Sequence, residues 1–184
     1  MLLSLKKYRS IPLLGSLYKF LSKVLVATLS KVMNSIISGS QSAFLKGRNL
    51  VDGVLGVNEV VNLAKRSTQE CLILKVDFEK AYDFVDWGFL KYMIRRLGLC
   101  DKWVRWMKAF VFGGNMSILV NGSPTEEISV QKGLKQGDPL APFLFLLVAE
   151  GFSGLMTNAV NLNLFQGFEK KYGRVGHFSP PICR

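Results

Sequence analysis

Apolar residues recur at three- and four-residue steps through residues 13–37: Leu17, Phe20, Leu21, Val24, Leu25, Leu29, Val32, Met33 and Ile36. That spacing predicts one or two amphipathic helices. QSAFLKGRN (41–49) breaks the pattern as a polar, Gly-containing link. From Asp52 onward, Val54, Leu55, Val57, Val60, Val61 and Ala64 predict a further helix, ending in the charged AKRSTQE. CLILKVDF (71–78) loses the helical period and is rich in β-branched and aromatic residues, so it is the best strand candidate in the chain.

Asp86 stands where an N-cap belongs, ahead of WGFLKYMIRRLG. Trp87, Leu90, Ile94 and Leu97 form its inward stripe, and Gly98 its stop. A second helix is predicted over 101–112, with Trp103, Trp106, Met107 and Phe110 facing a core. MSILV-NGSP-TEEISVQKG reads as a hairpin, because Asn-Gly supplies the two positive φ angles of a tight turn. KQGDPLAP then leads into a long apolar helix over 142–160. Helices, strand, helices, hairpin and helix in that order indicate an α+β domain.

Composition narrows the function. The chain has 184 residues, 49% of them hydrophobic, with 13 Phe, which is enough to bury a core. Lys+Arg number 24 against 13 Asp+Glu, a net charge of +11. That surplus favours a polyanionic partner, nucleic acid ahead of a membrane surface; the alternative is a merely soluble basic surface. Cys71, Cys100 and Cys183 are too scattered for a disulfide framework or a zinc site. His177 is the single histidine, which excludes His-based triads. MLLSLKKYRS is too short an apolar run for a signal peptide, and FLFLLVAEGF (143–152) falls short of a membrane span. The expectation is a soluble, intracellular protein with no membrane partner.

The run LILKVDFEKAYDFVDW carries Asp77, Glu79, Asp83 and Asp86. Acids at the end of a buried strand cap a helix, pair with a base, or hold a metal. Asp86 is most simply the cap. Glu79 and Asp83, four residues apart, would share one helical face with neighbouring lysines. Asp77 leaves the core after Leu72, Ile73, Leu74 and Val76, where a hard cation could take carboxylate and backbone oxygens.

Asp77-Phe78-Glu79-Lys80-Ala81-Tyr82-Asp83 resembles motif A of reverse transcriptases, in the form found in plant LINE-type, non-long-terminal-repeat retrotransposons. Gly133-Leu134-Lys135-Gln136-Gly137-Asp138-Pro139-Leu140-Ala141-Pro142 resembles motif B of that family, and IPLLGSLYKFLSKVL and SQSAFLKGRNLVDGVL resemble its fingers segments. The resemblance runs to about residue 170. It implies a partial right-hand polymerase: fingers over 1–70, an incomplete palm over 71–170, and an aberrant tail over 171–184. It implies RNA template, DNA primer and deoxynucleotides as partners, with Mg²⁺ or Mn²⁺ as cofactor. By resemblance, Asp77 is the catalytic metal ligand, helped by the Phe78 carbonyl. Tyr82 lies under the incoming sugar, excluding a 2′-hydroxyl, unless it is simply a core aromatic. Gln136, Gly137, Asp138 and Pro139 surround the nucleotide. Arg9, Lys19, Lys46 and Arg48 are candidates for template or triphosphate contacts, or equally solvated charges. One departure stands out: Arg9-Ser10-Ile11-Pro12-Leu13 exchanges the Pro and Ser of the family's Arg-Pro-Ile-Ser-Leu, and Pro fixes φ.

The family's motif C, Tyr/Phe-Ala-Asp-Asp, does not occur in the 184 residues. His177 to Arg184 can be encoded as CAT TTC TCA CCT CCA ATA TGC AGA, with synonymous codons chosen to fit. Read one base later this gives Ile-Ser-His-Leu-Gln-Tyr-Ala and a partial acidic codon, the expected approach to motif C. The expectation is therefore a frameshifted fragment of an RNA-directed DNA polymerase, inactive as it stands. Two other readings are a non-catalytic, basic nucleic-acid-binding remnant and an inert pseudogene product.

Overall fold

The structure is a computed structural model that describes residues 13–68 and 70–164. Arg9, the exchanged Pro12 and the tail from 165 to 184 lie outside the described residues. The elements are α1 (Ser16–Ile36), α2 (Leu50–Ser67), α3 (Trp87–Arg96), α4 (Asp101–Phe110), β1 (Asn115–Met116), β2 (Leu119–Val120), β3 (Ser123–Pro124), β4 (Ile128–Ser129) and α5 (Ala141–Asn161). Helices with small antiparallel sheets make a mixed α+β fold.

Two compact units share the chain: Met1–Val26 with Phe78–Val148, and Ala27–Asp77 with Ala149–Arg184. In the first, α3 and α4 pack together, burying Leu90, Met93 and Ile94 from α3 and Trp103, Val104 and Met107 from α4. Asp86 caps α3, its carboxylate accepting from the Phe89 amide at 2.6 Å. Gly98 ends the helix with φ +79°. Leu140, Leu144 and Leu147 complete the most deeply buried set.

The hairpin forms at Asn121-Gly122, both with positive φ (51° and 82°). Its ladder is in two pieces, β2 with β3 and β1 with β4. Three residues separate β3 from β4 where two separate β1 from β2. The extra residue makes a bulge, which Thr125 closes: its amide donates to the Ile118 carbonyl at 2.9 Å, and its hydroxyl accepts from the Ile118 amide at 3.0 Å.

In the second unit, Arg48 and Glu150 hold the exit of α1. The Arg48 guanidinium donates to the carbonyls of Ile37 (3.0 Å), Ser38 and Gln41 (2.6 Å) in the segment that leaves α1, and reaches the Asn34 carbonyl in the last turn of α1 at 3.5 Å, an acceptor of the kind a helix C-terminus leaves open. The buried Glu150 carboxylate accepts from the Ser38 amide at 3.1 Å.

Four expectations need correction. Residues 71–78 are not a strand: no β-ladder among the described residues includes them, and a strand exists only with a partner for its backbone. Leu72 is 94% exposed and Leu74 75%. The α1 helix forms and its buried stripe runs through Ser22, Leu25, Leu29 and Met33, while Leu17, Phe20, Leu21, Val24 and Val32 are exposed; apolar residues ring this helix, so periodicity alone names both the buried and the exposed positions. The α2 helix forms, with Asn49 as its cap, but Leu50, Val51, Val54, Leu55 and Val57 stay more than half exposed. The apolar run at 143–152 belongs to the 21-residue α5, which is long and apolar enough, by length and composition, to cross a membrane. The core helix of a soluble fold passes that test equally, and α5 carries the buried, hydrogen-bonded Glu150.

Candidate functional site

Two loops distant in sequence are joined by backbone. The Gly133 amide donates to the Val85 carbonyl and the Leu134 amide to the Tyr82 carbonyl, each at 2.8 Å. The Trp87 indole N–H returns to the Gly133 carbonyl at 2.7 Å. Gly133 sits at φ +92°, and a Cβ there would lie 2.8 Å from the Asp83 carbonyl oxygen. Glycine is required twice over, for its conformation and for this close approach. Thus the structure brings Tyr82 and Asp83 of the first motif against Gly133 and Leu134 of the second.

Residues 79–84 form turns, not a helix, so Glu79 and Asp83 do not share a helical face. The Tyr82 ring is half-buried and meets Phe145 edge-on, with centroids 5.4 Å apart, a favourable arrangement. It is a packed aromatic, and its part-exposed surface leaves room for a role at the site.

The next turn is closed by the Asp138 amide on the Lys135 carbonyl at 3.1 Å. Gly137 occupies its third position with φ +84°, where such a turn needs glycine. Gly137 is exposed, with no heavy atom within 4 Å of where a Cβ would be; Gln136 and Pro139 flank it, half-buried. Asp138 differs. Its carboxylate is buried and accepts from the Tyr18 hydroxyl at 2.7 Å, the Ser22 hydroxyl, and the Leu140 amide at 2.9 Å. That side chain fastens α1 to the start of α5 and is not free to meet a nucleotide. Burial, followed by the Asp138 carboxylate, holds the Tyr18 phenol well above its ordinary range, so it remains a donor. The Lys135 ammonium lies 4.4 Å from the centre of the Tyr18 ring.

A cavity of about 870 Å³ is lined by Tyr18, Asp83, Trp87, the 113–119 segment, 132–136 and Asp138, but not by Tyr82, Gly137 or Pro139; its volume is within the range of ligand sites.

Of the remaining candidates, Lys19 belongs to the same compact unit and Asp77, Lys46 and Arg48 to the other. Asp77 is exposed and belongs to the other compact unit. Lys19 and Lys46 are exposed. Arg48 is engaged with the carbonyls of the segment leaving α1 rather than open to phosphate. The Mg²⁺ or Mn²⁺ implied by the motif resemblance needs about six oxygens per ion. Among the described residues no three His, Cys, Asp or Glu side chains converge, so Asp77 and the Phe78 carbonyl do not by themselves fit such a pair of ions. Two features had no clear signal in the sequence: the Trp87 indole bond and the Tyr18–Asp138 link. A polar residue inside an apolar helical stripe, Ser22, was the one available hint.

Comparison with known proteins supplies the family. The model for reverse transcriptase (RNA-dependent DNA polymerase) matches residues 4–167. An uncharacterised 149 kDa protein of transposon TX1 from Xenopus laevis is 28% identical over 152 residues, 83% of this chain and 12% of that protein. The Pol polyprotein of the type-2 retrotransposable element R2DM of Drosophila melanogaster is 30% identical over 132 residues, 71% of this chain and 12% of that protein. A mitochondrial protein of Arabidopsis thaliana, itself uncharacterised, is 39% identical over 64 residues, 35% of this chain and 48% of that protein. The chain thus spans about an eighth of the two transposon proteins, and the match covers both loops that meet at Gly133: it belongs to the reverse transcriptase (RNA-dependent DNA polymerase) family.

Proposed function

We propose that the chain is the fingers and part of the palm of an RNA-directed DNA polymerase from a plant LINE-type, non-long-terminal-repeat retrotransposon, and that by itself it does not polymerise. The observation that carries the reading is the backbone junction of residues 82–85 with 133–134. It bonds the half-buried Tyr82 to Leu134, three residues ahead of the glycine turn at Gly137, and in this reading these are the parts that grip an incoming deoxynucleotide by shape. In this reading the part-exposed edge of Tyr82 excludes a 2′-hydroxyl, Gly137 gives the nucleotide close access to backbone, and Gln136 offers its amide to the base pair. Asp138 positions the turn from beneath. RNA template and DNA primer are the partners.

Divalent ions supply the phosphoryl-transfer chemistry in this family. The described residues bring one exposed acid toward that task, so no catalytic step is assigned to them. Purified chain, given primed RNA, deoxynucleotides and Mg²⁺ or Mn²⁺, should show no primer extension. Clear extension that disappears in Asp77→Ala would overturn the proposal. The +11 charge also favours a second reading, binding of nucleic acid without chemistry.

A further inference from the structure

Between Trp87 and Phe110 stand Lys91, Arg95, Arg96, Lys102, Arg105 and Lys108 against the single acid Asp101, a net +5 out of the chain's +11. All six bases are exposed. The inward faces of α3 and α4 are taken by Leu90, Met93, Ile94, Trp103, Val104 and Met107, which turns the bases outward on both helices. Lys102, Arg105 and Lys108 follow at three-residue steps, about 4.5 Å apart along the axis. Arg95 meets Asp101 at 3.5 Å, and Lys102 lies over Trp106. Lys91, Arg96, Arg105 and Lys108 have no ion-pair or ring partner among the described residues.

Aromatic rings interrupt this charge. Phe89 and Tyr92 are exposed (39% and 52%) and stack with centroids 6.1 Å apart and planes inclined by 29°. They are the exposed large apolar side chains of α3 and α4. A membrane-binding helix needs a free aliphatic face, and here those faces are buried. Cations that track a phosphate backbone, beside flat rings on which bases stack, are the equipment of a single-strand binder.

We propose that the outward face of α3 and α4 binds a single-stranded polynucleotide, through phosphates on Lys91, Arg96, Arg105 and Lys108 and base stacking on Tyr92. Lys91, Tyr92, Arg96, Arg105 and Lys108 neither form the junction at Gly133 nor line the cavity beside it, and the proposal does not depend on the polymerase reading. It would anchor a strand whether or not synthesis occurs.

Fluorescence anisotropy of the full chain with labelled oligo(U) tests it, alongside oligo(dT), an RNA duplex and anionic phospholipid vesicles. The quadruple variant Lys91→Gln, Arg96→Gln, Arg105→Gln, Lys108→Gln should lose at least tenfold in affinity. Its slope of log affinity against log salt should fall by about 0.7 for each phosphate no longer neutralised. Tyr92→Ala, which keeps every charge, should lose about fivefold or more. Glutamine at Lys65 and Arg66, exposed at the end of α2, should change little. Matching circular dichroism and unfolding midpoints establish that the variants are folded. Single-strand binding unchanged in both test variants, equal loss in the Lys65/Arg66 control, or binding to vesicles with none to oligo(U) would overturn the proposal. Stronger binding to duplex than to single strand would overturn the stacking role. Loss of oligo(U) binding in the test variants alone supports it, whatever the primer-extension result.

Discussion

Gly133→Ala tests the junction at the centre of the site. The substitution places a Cβ 2.8 Å from the Asp83 carbonyl oxygen and 3.2 Å from its carbonyl carbon and Cα, all backbone atoms, where ordinary contact begins at 3.4 Å. The loops must part, loosening the 2.8 Å bonds to Val85 and Tyr82 and the 2.7 Å bond from Trp87. An alanine at φ +92° costs roughly 1–2 kcal/mol for conformation alone. Weakening bonds worth about 1 kcal/mol each adds roughly 2 more. Gly98→Ala is the internal control: φ is +79° and no heavy atom lies within 4 Å, so it carries the conformational cost without the clash. Urea unfolding followed by tryptophan fluorescence should therefore show Gly133→Ala about 2 kcal/mol less stable than Gly98→Ala at equal m-value. Hydrogen exchange at the Leu134 amide should accelerate in the first variant alone. Equal destabilisation of the two, with Leu134 still protected, would refute the claim that these loops are tightly joined.

Arg48→Ala should destabilise by about 2 kcal/mol, as the carbonyls of the segment leaving α1 lose a charged donor; Arg48→Lys should restore less than half in the same unfolding assay, since an ammonium cannot fork across several carbonyls. Asp86→Ala should cost about 1 kcal/mol through loss of the α3 cap, visible as a lower urea midpoint. Among the five tyrosines, Tyr18 should resist alkaline titration in the folded chain, read from phenolate absorbance. Its folded value lies above the ordinary phenol value of 10.0, so this contribution to stability is complete below pH 10.0 and declines as pH rises beyond it; Tyr18→Phe should remove that part of the decline.

Local signals in the sequence located most elements because each rested on one nearby interaction. Asp86 before an apolar stripe is a cap wherever α3 packs, and Asn121-Gly122 turns whatever surrounds it. The segment 71–78 is different. Val76, Ile73 and their neighbours favour a strand, yet strand formation depends on a second segment, and the described residues provide none. Exposure of the α2 face has the same origin: its period was legible, but what covers it was not. At the site, the motif resemblance located Tyr82, Gln136 and Gly137, but it could not distinguish side chains facing a ligand from those holding the scaffold. Asp138 and Arg48 are both polar, both near motif residues, and both engaged internally. That distinction lies in long-range pairs such as Tyr18–Asp138, separated by 120 residues, for which a single sequence carries almost no local signature.

The acidic run therefore divides at its middle. Downstream, Tyr82 to Asp86 is anchored by backbone bonds from Gly133 and Leu134, by the close approach of Gly133 to Asp83, and by the cap on α3. Upstream, Leu72 to Asp77 is exposed and forms neither helix nor strand. Placing a carboxylate for metal work requires the segment bearing it to be held as firmly as its partners. The nucleotide-gripping elements of the proposed site meet that requirement, and the metal-bearing element does not. In the proposed reading, the residues that would meet the nucleotide are held by these backbone bonds, while Asp77, which would carry the metal, stands on a segment that forms neither helix nor strand among the described residues.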